Sequence, residues 1–201
     1  MEKSQIREET NEATRKATSL SKQSILLLHR KRHSDSARML SEAKIIITKL
    51  QARSNQNLGG MFSAALQEYA EAKILLTLVK EKRFVKPEEI SVPSVEYVLG
   101  LADVIGELRR LALDYLREGE VEKGSECLDL MDQIFIQLLA LDEAYMLVSG
   151  LRHKSDTSRR IIEATRGDIT LEVRRKALED QLRKCEDTQS KAKNKKVKKK
   201  K

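Results

Sequence analysis

The chain has no tryptophan, only three phenylalanines and four tyrosines. So few aromatics cannot furnish the base-stacking platforms of an RRM or an OB-fold. Any contact with nucleic acid must therefore run largely through phosphates. Two prolines and eight glycines in 201 residues leave too few turn signals for a β-sandwich or barrel. Cys127 and Cys185 are too few to staple a secreted fold and point to a reducing compartment. The apolar runs at residues 25–28 and 45–47 fall far short of the ~18 residues of a membrane span. Residues 1–4 lack the apolar stretch of a signal peptide. The expectation is a soluble cytoplasmic protein without a membrane partner. There is also no nucleophile elbow, no phosphate-cradling glycine loop and no zinc-ligand spacing.

What the chain has in excess is charge. Charged residues make up 35% against ~25% in ordinary globular chains, while the 40% that is hydrophobic still suffices for a core. The formal net charge of +8 is misleading as a whole-chain property. Eight lysines lie within residues 190–201, which contain no acid, so residues 1–189 are formally neutral. The reading is a balanced helical domain over 1–189 and a disordered lysine-rich tail over 190–201. Such a tail is a solvated end or a non-specific clamp on phosphates.

Helical periodicity recurs along the domain. Residues 3–31 read as one helix with Ala13, Ala17, Leu20, Ser24 and Leu27 on one face. Ser34-Asp35-Ser36 reads as a break and N-cap. A second helix runs to about residue 53 with Leu40, Ala43, Ile47 and Leu50 as its seam. Residues 55–60 read as a loop. A third helix over 60–82 carries Phe62, Ala65, Tyr69, Ala72, Leu76 and Val79, with Ala64, Glu68, Glu71, Leu75 and Leu78 beside them. Pro87 and Pro93 bracket a connection to helices over 94–117, 121–140 and 142–165, and Gly167 separates a last one over 169–185. Short loops between long amphipathic helices predict an all-α, seven-helix antiparallel bundle. The run Tyr145-Met146-Leu147-Val148 exceeds what one bundle face needs and predicts subunit contact.

Two helices carry acids in an unusual setting. Glu68 and Glu71 are spaced i, i+3, and Asp103 and Glu107 i, i+4, so each pair shares a helical face. Most acids in the chain have a basic residue three or four positions away. Around these four only Arg110, near Glu107, qualifies. Like charges on an apolar face either raise each other's pKa or gather a cation. Four oxygen donors suit a hard divalent ion, Mg²⁺ or Mn²⁺. The bland alternative is a solvated face or structural ion pairs. No histidine lies near either pair, which disfavours a ferritin-like site with its ExxH. Gly100 and Gly106 flank Asp103; each costs ~1 kcal/mol inside a helix, a cost that close approach of a neighbouring helix or a substrate backbone explains. His29, His33 and His153 read as surface or helix-end residues, and Cys127 as a small packed one.

Three segments carry a family resemblance. Residues 18–30 (TSLSKQSILLLHR) resemble the first-helix motif of translin-associated factor X, Trax. Residues 67–72 (QEYAEA) and 97–108 (YVLGLADVIGEL) resemble two further Trax segments, in the same order and at similar separation. The resemblance covers residues 5–166, and the modest length suits a compact archaeal Trax-like member of the translin superfamily. It implies a seven-helix bundle assembled as a ring-like homo-octamer around RNA, and Mg²⁺-dependent endoribonuclease activity. Glu68, Glu71, Asp103 and Glu107 match the family's catalytic acids. Lys22, His29 and Arg30 match basic positions near the first-helix motif and, with Arg110, are candidate RNA contacts. The lysine tail departs from the family pattern.

The expected chemistry is metal-assisted cleavage of single-stranded RNA with little sequence preference. Glu71, Asp103 and Glu107 would hold Mg²⁺ or Mn²⁺, and Glu68 would bind a second ion or orient the water. Two alternatives stay open: a translin-like scaffold that binds RNA or single-stranded DNA without cutting it, and an all-α nucleotide pyrophosphohydrolase. The Asp103-xxx-Glu107 spacing departs from the ExxD of the latter.

Overall fold

Six long helices and two single turns account for the regular structure, and no strand occurs among the described residues. In chain order they are α1 (Glu2–His29), α2 (His33–Arg53), α3 (Gly59–Glu81), α4 (Pro87–Ile90), α5 (Ser94–Arg117), α6 (Val121–Leu139), α7 (Ala144–Leu147) and α8 (Leu151–Lys198). The computed structural model describes residues 2–53, 59–141 and 143–198. The all-α reading holds, but the expected seven long helices are six, because the last two are one continuous α8, and two single-turn helices, α4 and α7, are added. The loop expected at 55–60 falls mainly on residues 54–58, which lie outside the described residues, as do residues 199–201 of the lysine-rich end.

The α1–α2 hairpin turns earlier than its sequence signal. Lys31 adopts the left-handed conformation (φ 60°). Its N–H donates to the Leu28 carbonyl and that of Arg32 to Leu27, both at 2.9 Å, closing the end of α1. Ser34-Asp35-Ser36 is therefore not the break: it lies in the first turn of α2, where Asp35 faces the positive helix end and accepts from Arg32 at 2.8 Å. Ser36 is buried and shares a 2.8 Å hydrogen bond with the buried Ser24 of α1, which fastens the two helices. The α2 seam is as expected, with Leu40, Ala43, Ile47 and Leu50 all buried.

α3 occupies the middle of the bundle, packing against α1, α2 and α5, and α5 in turn packs against α6 and α8. Tyr69, Ala70, Ile74, Leu75 and Leu78 are almost wholly buried, as are Val104, Ile105 and Leu108 of α5. Each large apolar side chain contributes ~1.5–3 kcal/mol by burial. The expected separation at Gly167 is absent. Leu151, Ser155, Ser158, Ile162, Thr165 and Ile169 form one buried stripe in 4-3 register straight through it. A single glycine costs only ~1 kcal/mol in a helix interior, less than that stripe contributes. α8 also continues beyond residue 185 to Lys198, with no proline or glycine after Gly167 to stop it.

The two glycines around Asp103 differ. A Cβ on Gly100 would lie 2.7 Å from the Gln67 carbonyl oxygen and 3.0 Å from both Ala70 Cβ and Glu71 N. Gly100 thus lets α5 lie directly on α3. A Cβ on Gly106 would meet nothing within 4 Å, so no neighbouring helix accounts for that residue. Gly100→Ala is expected to lower stability by ~1–3 kcal/mol through overpacking. Gly106→Ala is expected to raise it by up to ~1 kcal/mol through helix propensity. Paired thermal melts check both; a Gly100→Ala protein that melts no lower than wild type would show that this contact does not set the helix spacing.

Candidate active site

The α3–α5 contact brings the four acids into one electrostatic neighbourhood. Glu71 is buried at 9% exposure, while Glu68, Asp103 and Glu107 are each about a quarter exposed. Each of these three meets a basic residue from another helix. Lys22 of α1 lies 3.2 Å from Glu68. His29, the last residue of α1, contacts Glu107 through Nε2, and its Nδ1 lies 3.9 Å from Asp114. Lys154 of α8 donates to Asp103 Oδ1, and Gln67 Nε2 donates to Asp103 Oδ2 at 2.6 Å. Glu71 makes no hydrogen bond or ion pair among the described residues. Its pKa is pushed up to about 8, first by burial and then by the charges of Asp103, Glu68 and Glu107, with Lys154 pulling the other way.

Several sequence expectations change here. His29 does end α1, as one half of the expectation had it, but its side chain is only 3% exposed and so is not on the surface. A histidine does stand beside the acids, supplied by α1, which sequence adjacency could not reveal. Glu107 is partnered by His29, whereas Arg110 is exposed and makes no ion pair among the described residues. Of the four basic candidates, Lys22 and His29 reach the cluster; Arg30 and Arg110 are exposed and do not. Lys154 and Gln67 were not singled out for the site. A signal for Lys154 existed: it lies three residues after Leu151 and four before Ser158, on the face that α8 buries. Cys127 is the packed residue expected, with its thiol pushed up to about 12 by burial.

The sequence matches the Translin family over residues 5–189. The chain belongs to the translin family. Its fold is similar to the crystal structure of AfC3PO, with a TM-score of 0.77 and 29% identity, covering 85% of this chain and 91% of AfC3PO. The AfC3PO–duplex RNA complex gives a TM-score of 0.78 at the same identity and coverage. Apo-NeC3PO, at 23% identity, a TM-score of 0.73 and coverage of 83% and 89%, is a likeness of fold alone. An uncharacterized protein of Methanocaldococcus jannaschii is 29% identical over 187 residues, covering 92% of this chain and 84% of that protein.

The donor chemistry of this translin-family site suits a hard divalent cation. The donors are all carboxylate oxygens, and those of the largely buried Glu71 have no protein partner among the described residues. Among the described residues, however, no three of His, Cys, Asp and Glu are gathered as ligands of one ion. Glu68, Asp103 and Glu107 each face a basic partner instead, so gathering them on one ion would require those side chains to turn.

Glu71 gives the site a pH signature. In the unfolded chain it ionises near 4.5, in the fold near 8. Between these values the folded form keeps a proton that the unfolded form has lost. Stability therefore falls as pH rises from ~4.5 to ~8, by a few kcal/mol in all. Glu71→Gln removes this dependence. In the presence of a chelator, the Tm of wild type is expected to drop relative to Glu71→Gln across pH 5–8; parallel curves would refute the burial penalty.

Proposed function

We propose that the chain is a Trax-like, Mg²⁺- or Mn²⁺-dependent endoribonuclease acting within a homo-octameric shell in the cytoplasm. The observation that carries this reading is Glu71: a buried carboxylate without a partner, surrounded by three more carboxylates. Burying a charge without compensation is expensive, and a divalent cation shared by the cluster removes that cost. AfC3PO, which is similar over most of this chain, has been solved with duplex RNA; this supports RNA as the partner. Single-stranded RNA is the proposed substrate, because a flexible backbone can bend a phosphate towards acids set between helices.

Glu71, Asp103 and Glu107 would hold the ion, with Glu68 available to a second. When bound, such an ion supplies Lewis-acid chemistry: a more acidic water and compensation of charge developing at phosphorus. Glu68, more exposed than Glu71, would accept a hydrogen bond from the attacking water. Lys22 offers a cation to the phosphates at the rim, and the lysine-rich end adds attraction without sequence preference. Glu71→Gln is expected to lower the rate of RNA cleavage ~100-fold or more, the several kcal/mol that charge stabilisation of this kind supplies, while RNA affinity stays near wild type. Asp103→Asn should behave alike. Cleavage of labelled single-stranded and duplex RNA, with Mg²⁺ and with chelator, tests this; Glu71→Gln cutting at the wild-type rate would remove the residue from the chemistry.

One observation favours a second reading. Three of the four acids already have basic partners, as structural ion pairs in a non-catalytic RNA or single-stranded DNA scaffold would. Metal-independent RNA binding with no cleavage by the wild-type chain would establish it.

The assembly rests on a separate surface. Met146 and Leu147 of α7 are 85% and 84% exposed, and Ile136, Leu139 and Leu141 near the end of α6 are also exposed. Apolar side chains so clustered are costly in water and suit a neighbouring subunit. Light scattering is expected to give a mass several times the 22.9 kDa of one chain; a single-chain mass at micromolar concentration would overturn the octamer.

A further inference from the structure

Lys154 stands out among the basic residues at the acids because of where α8 puts it. Leu151, Ser155 and Ser158 around it are buried, so its stem starts from the inner face of the helix and its ammonium is carried to Asp103. That carboxylate is its partner among the described residues. Gln67 holds the other Asp103 oxygen, so both oxygens are engaged by protein donors. Its charge also reaches Glu71, the acid with no partner.

The three basic partners are not equivalent. His29 is buried against Glu107, with Asp114 on its far side. Lys22 is 61% exposed and lies at the rim. Lys154, at 27% exposure, is inside the cluster yet sits on a flexible four-carbon stem. An ion pair open to water to this degree holds its partners only weakly. A single positive charge is also a poor match for four carboxylates.

We propose that Lys154 is a tethered counter-ion that competes with the divalent cation for Asp103, and that the displaced ammonium then binds a phosphate oxygen of the RNA. The inference rests on the metal-site reading above and assigns it a resting state. An ammonium and a divalent ion drawn to the same Asp103 carboxylate repel each other across a short distance. Occupancy by either therefore weakens the other, and the coupling is reciprocal. Once released, the ammonium remains within a side-chain length of the acids, where a scissile phosphate would bring negative charge.

The experiment uses the full chain, stripped of metal, and Mn²⁺ alone as the first probe. Lys154→Met keeps the stem and removes the charge; Lys154→Gln keeps a donor for Asp103 and provides a second uncharged variant should the first fail to fold. Lys154→Arg retains the charge. Calorimetric titration is expected to show Mn²⁺ binding ~10-fold tighter in the uncharged variants, within the range of ordinary coupling, and near wild type in Lys154→Arg. Without metal the uncharged variants should melt below wild type, and saturating Mn²⁺ should close that gap. With Mn²⁺ saturating, their KM for single-stranded RNA should rise. Wild type that binds Mn²⁺ while the uncharged variants bind it no tighter would overturn the counter-ion role and leave the metal site standing. Failure of both wild type and variants to bind Mn²⁺ would overturn the metal site itself, and this inference with it. An unchanged KM would remove the phosphate contact.

Discussion

The closeness of α3 to α5 governs the rest of the molecule. At Gly100 the α5 backbone lies so near α3 that any side chain would press on the Gln67 carbonyl. Asp103 follows Gly100 by three residues, and Glu71 follows Gln67 by four, so this one contact fixes the register of both acid pairs. A wider helix spacing would let water between the carboxylates and weaken their mutual repulsion. The tight one leaves Glu71 buried with its pKa pushed up to about 8. Apolar neighbours supply the stability that offsets this: Tyr69, Ile74, Leu75, Val104, Ile105 and Leu108 are almost fully buried on the same two helices.

Compensation for the acids comes from outside the helices that carry them. α1 brings Lys22 and His29, and α8 brings Lys154. The flanking helices thus act electrostatically as well as by packing. Arg109 shows the structural counterpart two residues beyond Glu107. It donates to Thr165 at 2.7 Å and pairs with Asp168 at 3.0 Å, tying α5 to α8. The two Arg109 bonds suit the guanidinium fork, whereas Lys22 and Lys154 each bring a single charge on a flexible stem to the acids.

Legibility in the sequence followed the range of the interaction. The α2 seam of Leu40, Ala43, Ile47 and Leu50 was readable because helical burial repeats within a few residues. The four acids stood out by spacing and by their lack of local partners, both local facts. Lys154 and His29 lie 51 and 78 residues from the acids they meet, and no periodicity reports such a distance. Arg110 showed the opposite error: adjacent in sequence to Glu107, it remains exposed. Gly167 looked like a boundary because a glycine is a local signal, but the stripe from Leu151 to Ile169 outweighs it. The turn at Lys31 was missed because a lysine in the left-handed conformation leaves no compositional mark.

Fold likeness alone cannot separate a catalyst from a scaffold in this family, because the same backbone can carry either set of side chains. The distinction must come from the cost of keeping the acids. A scaffold gains nothing from a buried, unpartnered carboxylate: a glutamine at position 71 would have the same volume and no charge to bury. Nor does it need Gly100 to press two acid-bearing helices together when a wider contact could pack as well. A largely buried carboxyl whose ionised form is disfavoured by burial and by three neighbouring acids suits a site that receives a cation. Glu71 and its surroundings thus suit a cation, the premise of the proposed catalysis, on energetic grounds that do not depend on the family.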